Sequence, residues 1–527
     1  MFQTKPSDIV PPRLSDYLHI WSDFNPDRTA LIYKDKKISF GQWEEQSIKL
    51  ASWLLNQNVM PGDRIVYQLS ACPDFFYLYM AASMIGATLI GVNARYTAAE
   101  ISEILTDIQP CMVFTMNALS MTMVKACIYS GIKAPIVTAP LSKDVFFRLS
   151  SATKKKLVHR EMSVKSSDPL LIVYTSGSTG KPKGAILTHD NIIRSALAQT
   201  RGFFSPNGCC SDDIFQHQVP VDHVSGSVEW GAAPLIAGCA NILNDNFNPS
   251  IILANTQKYG ATILAGVPTM WHLMFRLPEF DKYDLSSVRF CMSGAAPVSE
   301  DIVERMLEIT PNCSNPYGMT ETSGFCSYSN SQSDLKHICT TVGNIIPEVE
   351  FKIVDKKRNL LPLGSTGELA YRGTTVIKQY YNRPDANKTA FDEDGYFYSG
   401  DLGHLSSENH LVLMGRKTEL FISGGYNVYP VEIENQVLKY PGVQMAAVLP
   451  VPHPIMGEVG RCYILMKDDS RPSSLDIQCF LLTVLADYKV PRDYVFLDKF
   501  PMTPLGKPAK SELAKEILNE SENVVRR

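Results

Sequence analysis

Short, uninterrupted apolar runs recur along the chain between longer stretches in which apolar positions return every three or four residues. "RIVYQLS" (64–70), "ATLIGVN" (87–93), "CMVFTM" (111–116), "LLIVYTS" (170–176), "ATILAGV" (261–267) and "VRFCMSG" (288–294) have the length and β-branched content of buried strands. Their alternation with helical stretches between about residues 30 and 320 predicts layered α/β structure with parallel strands. The polar run "LSSATKKKLVHREMSVKSSDP" (149–169) reads as a surface connection whose triple lysine faces solvent.

The stretch from Phe75 to Val92 is uncharged and long enough to suggest a membrane span. Pro73-Asp74 is a helix start, and Gly86 is a break after about three turns. The stretch therefore divides into a soluble helix and a buried strand that ends before Arg95.

Beyond residue 340 the pattern changes to short strands with glycine-rich turns, "VEFKIVD", "GELAYRG" and "LVLMG", which predict a β-rich subdomain. From about 417 a compact α+β unit of roughly a hundred residues follows. "YPVEIENQVLKY" and "SLDIQCFLLTVLADY" are its helices, and "MAAVLPV" and "RCYILMK" its strands. The predicted fold is thus α/β: a large N-terminal domain (1–415) of layered α/β subdomains plus a β-rich subdomain, then a small α+β C-terminal domain (419–527).

Composition adds exclusions. A net charge of −4 and a pI near 6.2 give no global basic field, so nucleic acid and anionic membranes are not expected partners. The twelve cysteines are scattered, with one adjacent pair (Cys209, Cys210) and no C-x-x-C, which favours a reducing compartment over a disulfide scaffold or a sulfur-bound metal. "MFQTKPSDIVPP" lacks a signal-peptide pattern and "ENVVRR" lacks a targeting tripeptide, so a cytoplasmic location is expected.

The densest chemistry lies in "TSGSTGKPKG" (175–184). Ser176, Ser178 and Thr179 supply hydroxyl donors, Gly177 and Gly180 permit close backbone approach, and Lys181 and Lys183 add charge, together a phosphate cradle. "THDN" (188–191) caps a following helix, whose N-terminus is expected to add a positive dipole end. Proline after Lys181 breaks the Walker spacing, which disfavours an ordinary P-loop ATPase or kinase.

"YTSGSTGKPKGAILTH" resembles the phosphate-binding signature of the adenylate-forming superfamily, which includes acyl- and aryl-CoA synthetases, nonribosomal adenylation domains and firefly luciferase. "PVDHVSG" (220–226), "AGVPTMW" (265–271), "MSGAAP" (292–297), "NPYGMTET" (315–322), "YSGDLG" (398–403), "GRKTELFISGGYNVYPVEIE" (415–434) and "MTPLGKPAK" (502–510) resemble further motifs in family order. The resemblance covers nearly the whole chain.

It implies a role for each. Thr175 and the loop would hold the ATP phosphates. Thr320 would bond the α-phosphate and Glu321 would hold Mg²⁺, a hard cation suited to oxygen ligands. Tyr317, with Gly318 and Met319 beside it, would stack on adenine, with Gly294, Ala295 and Ala296 along the other side. Asp401 would accept from the ribose hydroxyls and Arg416 would contact the same sugar. Lys507 would stabilise the adenylation transition state, and nearby Lys510 reads as a solvated charge.

The family's two-step reaction makes an acyl-adenylate and then rotates the C-terminal domain for thiol attack, which implies a hinge at 416–418. Thr418 stands there where the family usually carries aspartate or lysine. Gly424 and Gly425 would line the pantetheine tunnel and His223 would gate it; the alternative role for His223, beside Asp222, is general base. Asp222 departs from the phenylalanine common at its place.

The acyl pocket would be lined by Val224, Ser225, Ser227, Glu229, Ser323, Gly324 and Phe325, with no aspartate placed to anchor an α-ammonium. Glu229 reads first as a solvent-facing or salt-bridged residue beside a core Trp230, and alternatively as the receiver of a cationic tail.

The expected function is a free-standing acyl-CoA synthetase using Mg²⁺, with ATP, CoA and a small carboxylic acid as substrates. Alternatives are an acyl-adenylate ligase that charges a carrier protein, a luciferase-like oxidoreductase and a silent nucleotide-binding regulator. The identity of the acid and the monomer or homodimer state are left open.

Overall fold

The computed structural model describes residues 10–142, 145, 151–175, 182–204, 208–329, 333–424, 426–467, 472–503, 508–515 and 517. Two sheets make the α/β layers. In the first, the strands run Ile136–Ala139, Met112–Met116, Arg64–Gln68, Thr88–Gly91, Pro169–Thr175, Lys183–Thr188 across the sheet. The first five are parallel, and Lys183–Thr188 returns antiparallel as a hairpin. The second sheet is seven-stranded, and its parallel strands Ile214–His217, Ala240–Leu243, Ile263–Gly266, Phe290–Ser293 and Cys313–Ser314 carry helices between them.

The apolar stretch at 75–92 folds as predicted from its breaks. Helix Pro73–Ile85 has proline in its first turn and ends at Gly86, whose φ of 72° suits only a residue without Cβ penalty. Every residue from Phe75 to Ile85 is buried. The helix is surrounded by helices Leu14–Phe24, Phe40–Asn56 and Ser151–Ser163, which is why it has no polar face. Among the described residues no helix is long and apolar enough to cross a membrane, and all twelve cysteines are free thiols.

Two readings of the pattern change. The run at 149–169 contains helix Ser151–Ser163 rather than a bare connection; Lys154, Lys155 and Lys156 are exposed on it while Leu157 is buried against the core. "THDN" does cap a helix, with Thr188 accepting from Asn191 N–H, but the six-residue strand Lys183–Thr188 separates that cap from the glycine-rich segment. At about 3.4 Å per residue the strand puts the helix start about 17 Å from Lys183.

Downstream, Val349–Val354, Gly367–Gly373, Phe397–Leu405 and Leu411–Arg416 form a four-stranded antiparallel sheet, the predicted β-rich subdomain. The C-terminal unit packs helices Pro430–Val437 and Ser474–Val484 on a sheet built around the long hairpin Val443–His453 and Gly457–Met466, with its own core of Phe421, Ile433, Val448, Cys462 and Leu481. It meets the N-terminal region through polar contacts: Lys467 Nζ lies 2.8 Å from Asp301 Oδ2, and Arg276 donates to the Lys467 carbonyl at 2.5 Å.

Three helices of the first layer are tied by His19. Its Nδ1 bonds Glu44, and its Nε2 bonds Glu161 Oε1 at 2.9 Å. Ser22 donates to Glu44 at 2.6 Å and Ser15 to Glu161 at 3.2 Å. Burial disfavours the imidazolium, but the bonds to Glu161 and Glu44 prevail and push the ring up to about 10. A folded-state value above the unfolded one means that this stabilisation is complete below about pH 6.5 and is lost as pH rises through about 10. In thermal melts from about pH 7 to 10, the wild-type midpoint is expected to fall by about 2–4 °C more than that of His19→Gln.

Candidate active site

The parallel strands of the second sheet end on one side, where ligand crevices of α/β sheets lie. Phe290–Ser293 runs into Gly294, Ala295 and Ala296. Gly294 is buried, and a Cβ there would stand 3.0 Å from Pro316 Cγ, so the absence of a side chain lets the two segments touch. Ala295 is exposed with φ 69°, and Ala296 is half-buried.

Cys313–Ser314 leads into the hairpin Pro316–Met319 and Gly324–Tyr328. At Gly318 a Cβ would lie 2.1 Å from the Gly324 carbonyl oxygen, so only glycine permits this pairing. The turn between the strands is held by Thr322, whose Oγ1 accepts from Met319 N–H at 3.0 Å and donates to the Gly324 carbonyl at 2.7 Å. That leaves Thr320 and Glu321 on the turn without a structural duty in closing it.

Two contact chains meet at this hairpin. In one, Tyr317 donates its hydroxyl to Asp401 Oδ2 at 2.6 Å, and Arg416 Nε lies 2.9 Å from Asp401 Oδ1. Asp401 and Arg416 are cross-strand partners in the β-rich sheet, which fixes the pair. The Asp401 charge raises the Arg416 pKa, and burial, with Asp401 beside it, pushes the Tyr317 hydroxyl far above its ordinary value.

In the other chain, Tyr380 donates to Glu321 Oε1 at 2.7 Å, and Lys183 Nζ stands 5.6 Å from the centre of the Tyr380 ring. Burial raises the Glu321 carboxyl above the usual carboxylate range, and the Tyr380 bond opposes that shift. The backbone makes the same link. Ile377 N–H donates to the Glu321 carbonyl at 2.9 Å, and Tyr381 N–H to the Gly184 carbonyl at 2.8 Å.

The glycine-rich segment leaves and re-enters the described structure at the pair Thr175 and Lys183. Ser176, Gly177, Ser178, Thr179, Gly180 and Lys181 lie outside the described residues. Its base is braced by Arg383, which grips Asp107 through two nitrogens at 3.0 and 2.9 Å and donates to the Pro182 carbonyl at 3.3 Å. Tyr174 adds a 2.6 Å bond to the same carboxylate.

His223 sits on the loop after strand Ile214–His217, with Nε2 3.5 Å from Asp222 Oδ2. Asp222 also accepts from Asn93 Nδ2 at 2.9 Å, and its backbone packs so closely on Gly91 that a Cβ there would approach to 2.6 Å. The aspartate thus anchors the loop to the first sheet. A helix of widened, π-type winding follows, Ser225–Ala232, and it places Val224, Ser227 and Glu229 in buried positions and Ser225 at an intermediate one. Ser323 and Gly324 face it from the hairpin; both are buried.

Glu229 departs from the solvent-facing or salt-bridged reading. It is 3% exposed, no cation pairs with it among the described residues, and burial pushes its carboxyl well above the ordinary range. A helix packed on several sides has no solvated face to offer. Trp230 is a core residue, as expected.

Lys510 is not a solvated charge either. Its Nζ lies 2.6 Å from Glu419 and 2.9 Å from Glu434 Oε1, and the latter carboxylate also accepts from Val448 N–H at 2.7 Å. These bonds, with the bridge between Met502 and Pro508, anchor both sides of residues 504–507. Lys507 and Gly425 lie outside the described residues. Gly424 has φ 57°, and a Cβ there would meet Met456 Cε at 2.6 Å, so this turn requires glycine on local grounds alone.

Residues 19–381 match the model of a family described as AMP-binding enzyme, and 432–507 match its C-terminal domain. The chain belongs to the AMP-binding enzyme family. It is 29% identical over 494 residues to a feruloyl-CoA synthase of Amycolatopsis sp, covering 93% of this chain and 96% of that one. It is 28% identical to a medium-chain fatty-acid–CoA ligase of Escherichia coli (strain K12), with 96% and 90% covered. The ATP-bound structure of MatB from Rhodopseudomonas palustris superposes with a TM-score of 0.82 at 27% identity over 95% of this chain and 98% of that one.

Within this AMP-binding enzyme the structure brings Tyr317, Thr320, Glu321, Asp401, Arg416 and Lys183 together. It adds Tyr380, Arg383 and Asp107, which no motif had singled out. The Tyr-Tyr-Asn-Arg-Pro run at 380–384 is a turn signal in sequence, and nothing in it announces a partner fifty-nine positions away.

Glu321 yields a test of the site's electrostatics. Its raised value means that the folded state holds the carboxyl proton more tightly than the unfolded chain does. Stability is therefore greatest below the ordinary carboxylate pKa and declines as pH rises through the folded value. Glu321→Gln is expected to raise the thermal midpoint by about 1–3 °C at pH 8, with the gain shrinking towards pH 5. Melts of both proteins across that range check it.

Proposed function

We propose that this AMP-binding enzyme is a free-standing acyl-CoA synthetase: a carboxylic acid, ATP and CoA give acyl-CoA, AMP and pyrophosphate through an acyl-adenylate. The observation that carries the reading is the meeting of the two contact chains, Lys183–Tyr380–Glu321 and Tyr317–Asp401–Arg416, at one hairpin. It places candidate phosphate-binding groups and candidate ribose-binding groups on one hairpin. Full-length similarity to CoA ligases of aromatic and fatty acids supports CoA as the thiol.

In the first half-reaction a carboxylate oxygen attacks the α-phosphorus, the bond to the β-phosphate oxygen breaks, and pyrophosphate leaves with the electron pair. The chain's task is to offset negative charge and hold the reactants in line. Asp401 would accept from the ribose hydroxyls, and Arg416 pairs with it. Thr320 would donate to the α-phosphate, and Lys507 would carry positive charge to the entering carboxylate.

Glu321 suits a hard cation: it is half-buried, accepts from the Tyr380 hydroxyl and ion-pairs with no side chain among the described residues. Bound there, Mg²⁺ would neutralise phosphate charge.

In the second half-reaction the CoA sulfur attacks the acyl carbon, the carbon–oxygen bond to AMP breaks, and the thiol proton goes to solvent. AMP is a good leaving group, so His223 is read as a gate rather than a base. Residues 416–418 would be the hinge. Arg416 and Lys417 are each ion-paired to the N-terminal region, Lys417 to Glu368 at 2.7 Å, so rotation would begin at Thr418. The ion pair between Lys467 and Asp301 is half-exposed, and such pairs are worth at most about 1 kcal/mol, so it would resist turning little.

Pyrophosphate release across a panel of carboxylic acids tests the reading. At least one acid is expected to give release that is sustained by CoA, with the thioester as product; release without thioester would favour a carrier-protein acceptor, and no release with any acid would overturn the ligase. For Lys507→Ala, adenylate formation is expected to drop about 100-fold or more while thioester formation from supplied acyl-adenylate persists. Rapid-quench measurement of each half-reaction separates the two.

A further inference from the structure

Among the described residues two groups of three metal-ligating side chains stand together, each with its ligand atoms within 4.8 Å of one another: Cys209, Asp213 and Cys239, and His337, Glu408 and His410. The first is closed to a cation. Asp213 is already gripped by Arg289 through two nitrogens and also accepts from Thr262 and the Cys210 N–H. In the second, Glu408 ion-pairs with no lysine or arginine among the described residues, only with the two histidines.

Glu408 Oε2 lies 2.7 Å from His337 Nε2 and 3.8 Å from His410 Nδ1, and the two rings stand edge to face with centres 5.4 Å apart. Around a four-coordinate Zn²⁺, with bonds of about 2.0–2.2 Å, neighbouring ligand atoms are about 3.3–3.6 Å apart. The observed spacings bracket that range, and Glu408 is an exposed side chain free to take up the difference.

His337 is oriented in advance. Its Nδ1 lies 2.9 Å from Asp334 Oδ1, and an ionised carboxylate only accepts, so Nδ1 carries a proton and Nε2 is the nitrogen turned to Glu408. A carboxylate behind the far nitrogen of a ligating imidazole fixes the ring and its tautomer at metal centres. Asp334 is itself held as the cap of helix Leu335–Thr340, accepting from His337 N–H at 2.8 Å, and buried Ile338 pins that helix to the core.

Glu408 and His410 belong to the turn between strands Phe397–Leu405 and Leu411–Arg416, where both of their backbone N–H groups donate to Ser406 Oγ. Leu411 N–H donates to the Gly343 carbonyl at 2.7 Å and Val342 N–H to the Leu411 carbonyl at 2.9 Å, so turn and helix are locked side by side.

We propose that His337, His410 and Glu408 bind a divalent late transition metal, represented by Zn²⁺, as a clip between the helix and the turn. Water fills the fourth position. Two imidazoles and a carboxylate suit Zn²⁺, whereas Mg²⁺ takes oxygen ligands and does not compete. The clip joins the helical segment that Asn315 ties to the 316–328 hairpin, through the Ile338 and Thr341 carbonyls, to the strand pair that carries Asp401 and Arg416. It does not rest on the ligase reading above.

The test is calorimetric titration of the chelator-treated full chain with Zn²⁺ in excess Mg²⁺. One saturable equivalent is expected, with a thermal midpoint that rises as Zn²⁺ is added. His337→Ala and His410→Ala are each expected to weaken binding by about 100-fold or more. Asp334→Asn keeps the helix cap and removes the charge behind the ring, so a loss of about 10-fold is expected with the metal-free thermal midpoint unchanged. Co²⁺ in place of Zn²⁺ is expected to show no thiolate-to-metal charge transfer.

Absence of saturable binding overturns the inference. So does binding that both histidine variants retain, or a thiolate charge-transfer band, which would place the metal at Cys209 and Cys239. Wild-type affinity in Asp334→Asn overturns the positioning role of that residue.

Discussion

Buried carboxylates dominate the energetics of this molecule, because a carboxylate taken out of water must find a cation, a donor or a proton. Asp401 has both a cation and a donor, Arg416 and Tyr317. Glu321 has one neutral donor and is left poised for a cation. Glu229 pairs with no cation among the described residues, and burial pushes its carboxyl above the ordinary range. Three residues of one chemical type thus sit in three different electrostatic environments.

The hairpin 316–328 makes that division workable. Its strands approach so closely that Gly318 and Gly324 are obligatory, and the turn is closed by Thr322 rather than by the residues that would meet the nucleotide. Tyr317 reaches into the β-rich sheet, Glu321 reaches the Ile377–Tyr381 segment, and Gly324 faces the π-type helix. A rigid element seen from three sides keeps these groups in register.

Most of the layered fold was legible from runs of apolar residues. Strands at 64–68, 88–91 and 263–266 fall inside the runs that predicted them, since a strand buried on both faces has to be apolar throughout. The division of 73–92 into helix and strand followed from Pro73 and Gly86 alone. Where the reading failed, solvent exposure was the quantity misjudged. Charge on a helix suggested water around Glu229, and a C-terminal lysine suggested water around Lys510, whereas packing buries the first without a counter-ion and the second between two glutamates.

The sequence by itself determined the family and the order of the elements, because motifs are local and their spacing survives in one dimension. It did not determine which residues touch. Tyr380 with Glu321 and Arg383 with Asp107 are joined across 59 and 276 positions by the order of strands and segments in the fold. Protonation, burial and the shape of the acyl site depend on such long-range neighbours. Only the tertiary structure brings them together, and with them the difference between a carboxylate paired with a cation and one buried without it.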